Sequence, residues 1–213
     1  MKTTNAKQIL TQKEPARLYE VVEPALKDAE LRDLLVEGSF AKDETYRYNC
    51  VRVLFRAIAQ NPALFYQYWG RFEKMIDSPN GFHRSAAAQA IAYLSSVDTE
   101  CRLDMIFDHY LGLLNDSKVM VAHYFIETLG LIHQARPDFR NKIIATLLNI
   151  DKTDHPLQRK DLLKADIIST FDRLFDVMPL QEQKKAKAFA EAQLECSSSK
   201  ARKAAKEFQR KHK

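Results

Sequence analysis

Between one chain breaker and the next, nearly every segment of this sequence places apolar residues at i, i+3, i+4 and i+7, and none sustains a two-residue alternation. The first spacing lines one face of an α-helix, and the second is what a half-buried strand requires, so the chain reads as all-α. From Asp43 to about Gln60 the apolar face includes Val51, Leu54, Phe55 and Ile58, and Asn61-Pro62 ends it because proline cannot continue a helix. Between Ala63 and Ile76 the stripe is Phe65, Tyr68, Trp69, Phe72 and Ile76, broken by Asp77-Ser78-Pro79-Asn80-Gly81. A second pair runs from Arg84 to Ser95 and from Glu100 to Leu114. A third runs from Val119 to Gln134 and from Phe139 to Ile150, with Arg136-Pro137-Asp138 at its turn.

The pairs recur with a period. Asp77, Asp116 and Asp151 follow successive pairs at separations of 39 and 35 residues, near the length expected of stacked helix-pair repeats. Residues 87–94 (AAQAIAYL) and 125–132 (FIETLGLI) align at an offset of 38, with Ala, Gly or Leu where helices pack closely. The reading is therefore one helical domain over 1–196, with capping helices in 1–42 and helix pairs at 43–77, 83–116, 119–151 and 159–194. The last pair turns at Met178-Pro179. Residues 197–213 follow as a basic helix or tail, with Ser199 as its N-cap and Ala201, Ala204, Ala205 and Phe208 on one face. So alanine-rich a face offers little packing, which leaves this end open to fraying.

Several chemistries are excluded by what the chain lacks. Its five glycines never fall within five residues of one another, so no dinucleotide fingerprint, P-loop or nucleophile elbow can be written. No run of about 18 apolar residues suggests a membrane span. Cys50, Cys101 and Cys196 are odd in number and widely separated, which points to reduced thiols rather than disulfides or a metal knuckle. The N-terminus MKTTNAKQILTQKEP has no apolar core of the kind a secretory signal needs, and the expected location is cytoplasmic. None of the six histidines precedes a glutamate or lies within four residues of another, so no local metal face is expected and no cofactor is assigned.

Charge is uneven. Residues 183–213 hold ten of the 33 basic residues but three of the 28 acidic ones, so that end carries +7 and the other 182 residues −2. Such an end neutralises phosphates, making Lys200, Arg202, Lys203, Lys206 and Arg210 candidate nucleic-acid contacts; the same residues also suit an ordinary helix C-terminus. Elsewhere Glu100, Asp104 and Asp108 recur every four residues beside His109, either a solvated acidic face or a receiver for a basic peptide or divalent ion.

Paired helices of about 40 residues, an Asp after the second helix, and a basic or small residue opening the next give the chain a pattern that resembles the HEAT-repeat family of armadillo-type solenoids. Asp77 is followed by His83-Arg84 and Asp151 by Arg159-Lys160, whereas Asp116 is followed by Val121-Ala122, a departure at the basic position. The resemblance covers roughly residues 43–175. It implies a right-handed α-solenoid of about four to five antiparallel helix pairs, and a non-catalytic scaffold that holds a protein or peptide partner on a concave face lined by second helices. The polar residues at those places are Tyr66, Arg71, Arg102, His109, Arg140 and Asn141. Some HEAT-like proteins are DNA glycosylases that use aromatic side chains on a cationic surface. Here the spacing of Trp69 from Phe65 and Phe72 fits a core position better than a base-stacking platform.

Overall fold

A computed structural model describes all 213 residues; helices account for 79% of them and there is no strand. The chain divides into two compact units, Met1–Glu100 and Cys101–Lys213. In the first, α1 (Thr3–Leu10), α2 (Val22–Lys27) and α3 (Ala29–Gly38) precede α4 (Glu44–Gln60), α5 (Trp69–Met75) and α6 (Gly81–Leu94). The second contains α7 (Arg102–Leu111), α8 (Val119–Ala135), α9 (Arg140–Leu148), α10 (Leu157–Leu174), α11 (Leu180–Ala192) and α12 (Ser199–Lys211). Within the first unit α4 packs against α2, α3 and α6, and α5 against α6. Within the second, α10 packs against α8, α11 and α12.

Helix starts follow the local chemistry. Asp28, Asp43, Asn80 and Ser198 stand at N-caps, and their side chains accept bonds from the amides of Glu30, Tyr46, Phe82 and Ala201. These are amides that a helix leaves without an internal partner. The cap of α12 is thus Ser198 rather than Ser199. Pro24 is the third residue of α2, inside the first turn, where a missing N–H costs nothing. After Pro62 the chain winds as a 3-10 helix to Tyr68 before α5 begins. The tighter winding keeps Phe65, Trp69, Phe72 and Ile76 buried but turns Tyr68 out of that stripe, so that its hydroxyl donates to Asp33.

Helix ends are closed by a device that recurs along the chain. In six of the twelve helices the fourth residue reaches back to carbonyls left open in the preceding turn. Arg32 of α3 donates to Ala25 (3.0 Å), Arg47 of α4 to Ala41 (3.0 Å), and Arg84 of α6 to Ser78 (2.6 Å). Lys160 of α10 donates to Asp151 (2.9 Å), Gln183 of α11 to Phe175 (3.0 Å), and Arg202 of α12 to Cys196 (2.6 Å). A donor here satisfies acceptors that a helix terminus orphans, and each such bond contributes roughly 0.5–1.5 kcal/mol. The corresponding residue of α8 is Ala122, which is buried and has no donor to offer. There His155 takes over: its Nε2–H donates to the Leu114 carbonyl at 2.9 Å, and Asn115 and Asp154 exchange two bonds of 2.7 Å beside it.

The C-terminal helix is docked. Ala201, Ala205 and Phe208 are buried, and the Phe208 ring stands edge-on to Phe175 with centroids 5.5 Å apart. The alanine face, which the sequence reading treats as weak, lets α12 approach α10 closely, and Phe208 supplies the apolar area. Charged side chains fix both ends: Lys200 Nζ lies 2.7 Å from Asp166, while Lys211 and His212 both meet Asp172.

Candidate functional site

The residues proposed to contact a partner occupy different environments. In the first unit, the Tyr66 hydroxyl donates to Asp98 Oδ1 at 2.7 Å. Burial, with help from the Asp98 carboxylate, pushes its phenol up to about 12. Arg71 forms an ion pair with Glu37. In the second unit, Arg140 Nε donates to the His133 carbonyl at 2.9 Å, closing the end of α8, while Asn141 is exposed on α9. Tyr66, Arg71 and Arg140 therefore each have a structural bond inside their own unit.

Arg102 and His109 share one helix with an exposed apolar side chain. They lie on α7 at i and i+7, and between them, at i+3, is Met105, 77% exposed and the most exposed large hydrophobic side chain of the molecule. The opposite face of α7 buries Leu103, Phe107, Tyr110 and Leu111, so Met105 projects away from the core. Gly112 continues the outward face one turn on, and a Cβ built there meets nothing within 4 Å. The sequence reading missed Met105 because a lone apolar residue on a polar face breaks the helical stripe instead of extending it. Its spacing of three from Arg102 and four from His109 is the signal that could have found it.

Two carboxylates of the acidic row, Asp104 and Asp108, are paired within this unit. Arg136 straddles Asp104 (2.8 Å) and Asp138 (2.7 Å) and lies 4.3 Å above the Phe139 ring, and Lys142 pairs with Asp108. Bonds from Arg136 hold the Asp104 and Asp138 carboxyls below the ordinary range. Phe107 and Phe139 stack beneath with centroids 3.8 Å apart. This cluster ties α7 to the start of α9 and sets the angle at which the outward face of α7 is presented.

The five basic candidates on α12 also divide. Lys200 is paired with Asp166, and Arg202 caps the preceding turn. Lys203, Lys206 and Arg210 form a row at i, i+3 and i+7 on the exposed side of the helix. The anchoring carboxylate Asp166 is buried and takes a second bond from His123 Nδ1 at 2.8 Å. Burial alone would raise its carboxyl, but the bonds from His123 and Lys200 outweigh this and hold it below the ordinary value. His123 is raised in return, chiefly by its bond to Asp166. His133, fully buried against Glu182 at 3.2 Å, shifts the other way because burial disfavours its charged form. Trp69 is fully buried and offers no face to a base.

Comparison with protein-family models and with curated proteins returns no match. The HEAT-repeat resemblance therefore rests on the residue pattern alone.

Proposed function

We propose that the protein is a non-catalytic, HEAT-like helical-repeat scaffold of the cytoplasm, a right-handed α-solenoid of four to five antiparallel helix pairs that holds a protein or peptide partner. The observation that carries this reading is the outward face of α7, where Met105, 77% exposed, lies between Arg102 and His109. A flexible thioether adapts to apolar partner side chains, and the polar residues on either side supply direction and specificity. The recurring fourth-position cap and the approximate 38-residue offset support the repeat architecture. The three cysteines are free thiols, as suits a reducing compartment.

The immobilised full chain is expected to retain a partner saturably, and the Met105→Glu variant to lose at least about tenfold in affinity for it, as for truncation of an interface anchor. A partner bound equally by wild type and by Met105→Glu, Arg102→Ala and His109→Ala variants would place the interface elsewhere.

A second reading is favoured by one observation. Lys203, Lys206 and Arg210 share the solvent side of a docked helix whose other cations, Lys200, Arg202 and Lys211, are occupied, which makes a cationic row for a nucleic-acid backbone, with Glu207 its one exposed carboxylate. This reading calls for salt-dependent oligonucleotide binding that is weakened in a Lys203→Ala/Lys206→Ala/Arg210→Ala variant, with a shallower salt slope. Binding unchanged in that variant removes it.

A further inference from the structure

A second surface, in the first unit, combines charge and aromatic rings in a way that neither reading above uses. On α4, Arg52 and Arg56 are one turn apart, and Tyr48 lies one turn before them. Tyr19, from the 3-10 turn Leu18–Val21, reaches across. The Arg56 guanidinium sits 3.9 Å above the Tyr19 ring; that of Arg52 lies 5.3 Å from Tyr19 and 5.6 Å from Tyr48. Arg52 also donates to the Tyr19 hydroxyl at 2.9 Å. The result is a row in the order Tyr48, Arg52, Tyr19, Arg56.

Two features make this row more than surface decoration. Neither guanidinium has a carboxylate within ion-pair distance: Glu20, next to Tyr19 in the chain, is paired with Arg17 instead. The rings are also left open to solvent, Tyr48 at 55% and Tyr19 at 39%. A guanidinium stacked on a ring keeps edge N–H groups to offer, even where, as in Arg52, one nitrogen also donates to the Tyr19 hydroxyl, and that edge matches phosphate oxygens in a fork. An open tyrosine face stacks on a nucleobase irrespective of sequence. An acidic peptide would satisfy the arginines but leave the rings unused, whereas a single strand carries anion and π-face in alternation, as the row does.

We propose that Tyr48, Arg52, Tyr19 and Arg56 form a binding site for single-stranded nucleic acid, with phosphates on the two arginines and a base stacked on Tyr48. The site lies in the first unit and does not depend on Met105 or on α12.

The test is fluorescence anisotropy with a labelled 20-nucleotide poly(dT) strand and a mixed-sequence RNA of the same length, titrated with the full chain at several salt concentrations. Arg52→Ala/Arg56→Ala is expected to weaken binding by at least about tenfold and to flatten the log–log salt slope by roughly 1.4, two single-strand phosphate contacts. Tyr48→Ala should weaken it by about tenfold, while Tyr48→Phe, which keeps the ring, stays close to wild type. Arg52→Lys keeps the charge but not the planar fork, and should fall between. Matched thermal unfolding midpoints show that the variants are folded. Binding that is the same in all four variants overturns the proposal, as does loss of binding only in the Lys203→Ala/Lys206→Ala/Arg210→Ala variant. Displacement of the strand by polyglutamate at equal charge, with Tyr48→Ala indistinguishable from wild type, overturns it in favour of an acidic peptide.

Discussion

Two glycines show how a single Cβ decides the sign of a substitution. A Cβ at Gly38 collides with Cys50 Sγ and comes within 3.0 Å of the Tyr46 ring, at the close approach of α3 and α4. Gly38→Ala should therefore destabilise by about 1–3 kcal/mol, the usual cost of overpacking. At Gly130, inside α8, the nearest atom is a Leu174 methyl carbon at 3.6 Å, an ordinary contact. Gly130→Ala should stabilise by up to about 1 kcal/mol through helix propensity. Urea unfolding of the two variants checks both signs. His123 gives a pH signature. Its folded-state value is raised by Asp166, so the stability it contributes is fully present below its unfolded value of about 6.5 and is lost as pH rises through the raised value. His123→Gln should cost more stability near pH 5.5 than near pH 9, and equal costs at the two pH values would contradict the assigned pair. His133, lowered by burial, works in the opposite sense, weakening the fold as pH falls below about 6.5, so the single variant is needed to isolate the effect of His123.

Individual helices depend on two devices that differ in how far they can be read from sequence. The amphipathic spacing of Val51, Leu54 and Ile58, or of Ile143, Ile144 and Leu147, is a local property, and the sequence locates those helices within a few residues of their observed bounds. The fourth-position caps are half-legible: Arg84 and Lys160 stand where the repeat pattern wants a basic residue, and Ala122 breaks the pattern. That His155 fills the gap, 41 residues from Leu114, is a long-range fact that no local spacing reveals. His155→Phe leaves the Leu114 carbonyl buried without a donor and should cost about 1–3 kcal/mol. The docking of α12 was hidden for a similar reason, because the hydrophobic stripe of α12 shows its alanines but not the face of α10 that receives them. Phe208→Ala should destabilise by about 3–5 kcal/mol, measured by urea unfolding, whereas a frayed helix would show almost no change. It follows that removing 197–213 exposes apolar surface of α10, and charge substitutions on α12 are the cleaner way to test its outward row.

For the whole molecule, what the sequence makes legible is the all-helical class, because it follows from the period of apolar residues. The candidate surfaces were less legible. Polar positions on second helices were named from their exposure pattern, yet Tyr66, Arg71 and Arg140 are bound to Asp98, Glu37 and the His133 carbonyl. A sequence shows which side chains are polar but not which of them find partners within the fold. Met105 went unnoticed because its exposure depends on which face of α7 the core claims. No helix is long and apolar enough to cross a membrane. The function proposed above has the protein holding a partner on the outward face of α7. The most direct test is amide hydrogen exchange of the full chain with and without the partner it retains. Exchange should slow in and around residues 102–112 and remain unchanged in α12. Protection confined to α12, or absent throughout a saturated complex, would contradict the claim.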